Sequence, residues 1–118
     1  MPVTVFERDK KVGGLLRYGI PDFKLEKHII DRRIKILEEE GITFKTEAHV
    51  GKNVKTDILK EEFDSILLCG GATERRSIPI PGADLKGVHQ AMDFLKQNNQ
   101  RIDGISGFDE EINAKGKN

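Results

Sequence analysis

With a single cysteine, Cys69, among its 118 residues, the chain cannot carry a disulfide framework or an iron–sulfur cluster held by four local thiolates. Net charge is missing as well. Twenty basic and twenty acidic side chains cancel, so no overall field draws the chain to nucleic acid or to an anionic membrane. No apolar run approaches the roughly eighteen residues that span a bilayer, and Met1-Pro2-Val3 has neither the basic nor the apolar region of a signal peptide. There are no internal repeats or low-complexity segments. No grouping of side chains suggests a general acid, a general base, a nucleophile or a metal-ligand set. His49 has no partner at ligand spacing, and Glu38, Glu39 and Glu40 read as a solvated helix face. These absences leave a soluble, cytoplasmic, single-domain chain with no catalytic residue and no metal of its own.

What is present is organised around residues 3–21. A short β run, Val3-Thr4-Val5-Phe6, ends on Glu7. A charged turn follows, then Gly13-Gly14 and Leu15-Leu16-Arg17-Tyr18-Gly19-Ile20-Pro21. In a doubly wound fold, a carboxylate at the C-terminal end of a parallel strand accepts hydrogen bonds from a ribose diol. Adjacent glycines let backbone approach a ligand because no Cβ intervenes. The Gly-x-Gly-x-x-Gly turn that should come about twenty residues before such a strand is not in the sequence. Two readings therefore stand side by side: Glu7 as an ordinary strand-end acid, or a chain that begins inside a nucleotide-binding domain.

The remainder reads as alternating α and β segments. Leu25, Ile29, Ile30, Ile34 and Leu37 recur at helical spacing and predict a helix over 25–40, with Asp22 as its cap and Gly41 as its left-handed stop. A strand is expected over 42–45, and an extended piece ending in a turn over 47–52. Residues 54–63 predict a short helix with Ile58, Leu59 and Phe63 inward. The apolar run at 65–69 reads as a strand buried on both faces, with Cys69 as an inert core thiol. At its end Gly70-Gly71 is either a tight turn or a second close approach of backbone to ligand. Arg75 and Arg76 fall in a surface loop, and 78–82 is a proline-stiffened crossing. A last helix is expected over 88–99, with Val88, Ala91, Met92 and Leu95 on one face.

Val-Phe-Glu-Arg at 5–8 and the block from Gly13 to Leu25 resemble the small (β) subunit of NADPH-dependent glutamate synthase. Ile29-Ile30-Asp31-Arg32-Arg33, Cys69-Gly70-Gly71-Ala72, Pro79-Ile80-Pro81-Gly82 and Gly87-Val88-His89 follow in the family's order. The family shares an adrenodoxin-reductase-like flavin domain. The resemblance implies an incomplete Rossmann-like, doubly wound, mainly parallel α/β sheet lacking its first strand and glycine-rich helix. Residues 1–100 would be part of an FAD-binding domain, and 101–118 a mobile tail leading toward an absent NADPH-binding domain. It implies a parent enzyme that passes electrons from NADPH through FAD and iron–sulfur clusters for glutamate synthesis, with the large (α) subunit as partner. The NADPH and the clusters would be held outside this chain, which by itself would be inactive and prone to self-association.

Glu7 would then hold the adenosine ribose, and Gly13, Gly14 and Leu15 the diphosphate–ribityl side, with Arg17 in the same loop. The backbone of Val50 would meet the adenine edge. Gly70, Gly71, Ala72 and Thr73 would pass the middle of the dinucleotide. Alternatives from other directions are the reductase portion of a dihydropyrimidine dehydrogenase-like or ferredoxin:NADP reductase-like flavoprotein, and a non-redox binding module.

Overall fold

A computed structural model describes residues 2–116; Met1 and the last two residues of the expected tail, Lys117 and Asn118, lie outside it. Among the described residues two strands and four helices follow one another as β1 (Val3–Phe6), α1 (Gly14–Tyr18), α2 (Lys27–Glu39), β2 (Ile42–Lys45), α3 (Thr56–Glu62) and α4 (Ala91–Ile102). The mixture is α/β. Its sheet has two parallel strands, with Val3 opposite Ile42 and Phe6 opposite Lys45. A parallel pair needs a crossover, and α2 supplies it while packing on β2.

The period-two pattern decides what each face of the sheet does. Val3, Val5, Ile42 and Phe44 share one face. There the β2 side chains are half-buried and the two valines of β1 are exposed. Thr4, Phe6, Thr43 and Lys45 share the other, where the Lys45 ammonium lies 5.3 Å from the centroid of the Phe6 ring. Phe63, just past α3, meets Phe6 from the same side.

α2 forms where its apolar spacing predicts. The backbone N–H of Lys27 donates to Asp22 Oδ1 at 3.1 Å, so the expected acid does satisfy a helix-start donor, from four residues before the Glu26 cap. Gly41, with φ of 94°, takes the left-handed conformation that ends the helix. Of the three inward positions expected for α3, Leu59 is buried, Phe63 is half-buried just past the helix and Ile58 is exposed. The piece expected over 47–52 bends at Glu47, runs through the Ala48 amide bonded to Glu7 to an isolated bridge at Val50, and ends in the expected turn, at 51–53. Glu47 has φ of 54°, and the Asn53 side chain bridges the Glu47 carbonyl and the His49 amide.

The expected buried strand at 65–69 is the main correction. The segment has no regular structure, Leu67 and Leu68 are 86% and 88% exposed, and Cys69 is an exposed thiol rather than a core one. A strand of this composition needs a neighbour and a cover on both faces, and the described residues offer neither. Residues 64–81 are exposed throughout.

α4 also departs from expectation. It starts at Ala91 and runs to Ile102, three residues later at both ends than the periodicity predicts, and Val88 lies outside it, exposed. Among the described residues the buried apolar side chains are few: Tyr18, Ile30, Ala48 and Leu59. The radius of gyration is accordingly 17.6 Å, against about 13 Å for a compact domain of this length. No helix among the described residues is long and apolar enough to cross a membrane.

Candidate functional site

Glu7 stands at the C-terminal end of β1, half-buried. Its backbone continues the sheet: the Glu7 N–H donates to the Lys45 carbonyl at 2.9 Å, and the Glu7 carbonyl accepts from the Ala48 N–H at 2.9 Å. Its Oε1 accepts from the Asp9 backbone N–H at 2.9 Å, which shapes the start of the charged turn. Oε2 has no hydrogen-bond partner among the described residues and can accept from a ligand.

The two glycines that follow differ in what they do. A Cβ on Gly13, at φ of 128°, would come within 3.2 Å of both Arg17 Cβ and Ile30 Cγ2, so Gly13 allows α1 to lie close on α2. A Cβ on Gly14, at φ of 49°, would meet nothing within 4 Å. Beside that open space Leu15 and Leu16 are exposed. This is the side of α1 from which a ligand can reach backbone.

Arg17 is buried, at 2% exposure. Its Nε donates to the Val12 carbonyl at 2.6 Å and its Nη2 to Asp31 Oδ1, while the buried Nη1 has no partner among the described residues. The guanidinium thus binds the turn to α2. Lys27 is the second buried cation. Its Nζ donates to the Ile20 carbonyl at 2.6 Å and to the Leu25 carbonyl at 3.0 Å, closing the bend over residues 20–25.

Tyr18 packs on the opposite side of the turn. Its hydroxyl accepts from the Lys11 N–H at 3.1 Å, and burial raises its pKa above the ordinary value of 10.0. Nearby Asp9 and Asp103 act in the same direction as burial. The Lys11 N–H bond and Arg17 oppose it. A cleft of about 380 Å³ opens beside this ring, walled by residues 8–11, Tyr18, Glu47 and the end of α4. Its charges are balanced and partly paired, Lys11 with Asp103 at 3.0 Å.

The structure therefore brings Glu7, Gly13, Gly14, Leu15 and Arg17 together around β1 and α1. Val50 is exposed on the turn after β2, two residues beyond the Ala48–Glu7 hydrogen bond. Gly70, Gly71, Ala72 and Thr73 lie on the exposed segment, and no hydrogen bond among the described residues ties them to β1 or α1. No grouping of three potential metal ligands occurs among the described residues.

Comparison with known proteins bears on what this site serves. The glutamate synthase [NADPH] small chain of Mycobacterium tuberculosis is 49% identical over 119 residues, which is 98% of this chain. That of Bacillus subtilis is 50% identical over 116 residues. The chain is homologous to one section of glutamate synthase small chains. It spans about a quarter of the length of these relatives, 24% in each case. The glutamate synthase [NADH] of Schizosaccharomyces pombe is 43% identical over 98% of the chain, and the putative oxidoreductase AegA of Escherichia coli is 38% identical over the same share. No family model matches.

Three buried polar side chains escaped the sequence reading: Lys27, Gln97 and Asn99. For Lys27 a faint signal exists, since a lysine in the first turn of a helix opposes the dipole unless something else holds it. For Asn99, whose partner is 81 positions away, the sequence offers none.

Proposed function

We propose that the chain is a section of the flavin-binding domain of a glutamate-synthase-type NADPH oxidoreductase, and that residues 7–17 form the part of its FAD site present here. The observation that carries this reading is the placement of Glu7. Its free Oε2 stands at the C-terminal end of a parallel strand, where open α/β sheets bind dinucleotides. The similarity to glutamate synthase small chains along 98% of the chain supports the same assignment. It also supports, through the parent, NADPH as electron donor, iron–sulfur clusters as acceptors and a large subunit as partner. Flavin supplies the redox chemistry when bound; Glu7 orients the ribose, and Gly14 and Leu15 offer backbone to the diphosphate side. Arg17 keeps the turn seated on α2.

A Rossmann-like sheet is the fuller architecture this reading calls for, and the two strands differ in a way that supports it. β2 carries exposed Thr43 and Lys45, and lysine on an outer strand discourages further pairing. β1 carries exposed valines and no such guard. It has the composition of an interior strand, with a neighbour expected on its free edge and a cover expected over Val3 and Val5. The same open edge favours self-association of the chain on its own. The 38% identity to a putative oxidoreductase keeps a related flavoprotein as the second reading, one that makes the same demand on Glu7.

Flavin retention by the full-length protein is the test. Charge-assisted hydrogen bonds contribute about 1.5–3 kcal/mol each, so Glu7→Ala should weaken FAD binding at least about tenfold and Glu7→Gln less. An alanine variant that keeps its flavin through dialysis would overturn the assignment.

A further inference from the structure

We infer that α4 sets the shape of the Gly13–Leu15 turn from a distance, with Asn99 and Lys96 as positioning residues that touch α1 and its approach, not a ligand. A helix of five residues does not hold itself together in water, because nucleation costs more than one turn returns. α1 must therefore be held from outside. On one flank α2 does so, through Asp31 on Arg17 and Ile30 against Gly13. The Gly14–Leu15–Leu16 flank is open. The remaining flank belongs to α4.

Asn99 donates through Nδ2 to the Tyr18 carbonyl at 3.1 Å. That carbonyl is one of those that the end of α1 leaves without a partner in its own helix. Asn99 is 2% exposed and its Oδ1 has no partner among the described residues, so the residue gives up hydration of an amide to make this contact. One turn earlier, Lys96 places a single ammonium on both ends of the loop. It lies 2.8 Å from Asp9 Oδ1, where the loop begins, and 5.1 Å from the centroid of the Tyr18 ring, where it closes. One turn after Asn99, Asp103 holds Lys11 at 3.0 Å. The Tyr18 hydroxyl completes the ring by accepting the Lys11 N–H.

The contacts of Asn99 with Tyr18, Lys96 with Asp9 and Asp103 with Lys11 each span more than eighty positions of sequence and converge on the turn that carries Gly14. A ligand that binds the open flank of α1 more tightly in this conformation than in others favours the same state as α4. The two then strengthen each other by the same factor. The identity of that ligand as flavin rests on the reading above; the positioning does not.

Hydrogen exchange at the Gly19 and Ile20 amides reads the state of α1 directly, since both donate to the Leu15 carbonyl at 2.9 Å. In the 118-residue chain, Asn99→Ala should speed their exchange about tenfold and leave the interior of α2 unchanged. Asn99→Leu, which keeps the volume but not the donor, should do the same. Lys96→Glu should speed it too, and adding Asp9→Lys should restore the slower rate by rebuilding the pair in reverse. The chain has one tyrosine and no tryptophan, so its intrinsic fluorescence reports Tyr18 alone and should follow the same order. Unchanged exchange in both Asn99 variants would overturn the inference. So would a reversed-charge pair no better than Lys96→Glu, which remains decisive if the Asn99 variants unfold. In the full-length protein, faster exchange in Asn99→Ala with undiminished flavin retention would leave the positioning standing and overturn the flavin reading of the turn instead.

Discussion

The rings of Phe6 and Phe63 meet edge to face, with centroids 5.8 Å apart and planes at 87°. The contact fastens the end of α3 to the last residue of β1, on the sheet face that carries Thr4, Thr43 and Lys45. With so few apolar side chains buried among the described residues, one aromatic pair matters. Phe63→Ala should lower stability by about 1–2 kcal/mol, below the loss at a fully buried site because both rings are half-buried. Thermal denaturation followed by circular dichroism would measure it.

Lys27 gives a second stability prediction. Its buried ammonium is the donor for two carbonyls of the bend at residues 20–25. Lys27→Met keeps most of the stem and removes the donor, stranding the Ile20 and Leu25 carbonyls. The expected loss is about 1–3 kcal/mol, and Lys27→Ala should lose more because the packing of the stem goes too. Urea titration of both variants separates the two contributions.

Much of this was legible in the sequence, for reasons that differ by element. β1 and β2 stand where a four-residue alternation bounded by charge and glycine places them, and α2 follows its apolar stripe to within two residues. Both are local patterns, and local patterns survive without the rest of a domain. The run at 65–69 does not. Its composition is that of a doubly covered strand, but composition states a requirement, and the described residues do not meet it. Gln97 and Asn99 were missed for the opposite reason. They are polar, lie at the end of the expected helix and fall outside its apolar face, yet tertiary contacts bury both, Gln97 by accepting from the Ile112 N–H at 2.7 Å and Asn99 on Tyr18.

Tyr18 should mark the alkaline limit of the fold. Burial raises its pKa in the folded chain above the ordinary 10.0. Between those two values the native state keeps a proton that the unfolded state has released, so stability falls as pH rises. The contribution is fully present below about pH 10 and disappears through the folded pKa. Tyrosinate absorbance, which reports this residue alone, should titrate late in the folded chain. Tyr18→Phe should remove that part of the alkaline loss while also forfeiting the hydroxyl bond to Lys11.

The open edge of β1 leads to the last prediction. Its exposed valines and unguarded edge lie in the same chain as Ile66, Leu67 and Leu68, a segment with strand composition and nothing to pair with. Unpaired edges recruit other strands, and apolar surface left in water drives association. Closure within one chain would have to pull residues 65–69 back along β1 from the point where Phe63 holds them against Phe6. Exchange between two copies avoids that constraint, because each can offer the segment to the other's edge, and reciprocal exchange closes with two-fold symmetry. The 118-residue chain should therefore sediment as a dimer or larger species, with the proportion rising with concentration. Leu67→Lys with Leu68→Lys, placed where both side chains already face solvent, should shift it toward monomer without lowering the stability of the two-stranded core. A chain that stays monomeric at high concentration and melts in one sharp step would show that β1 closes its own edge.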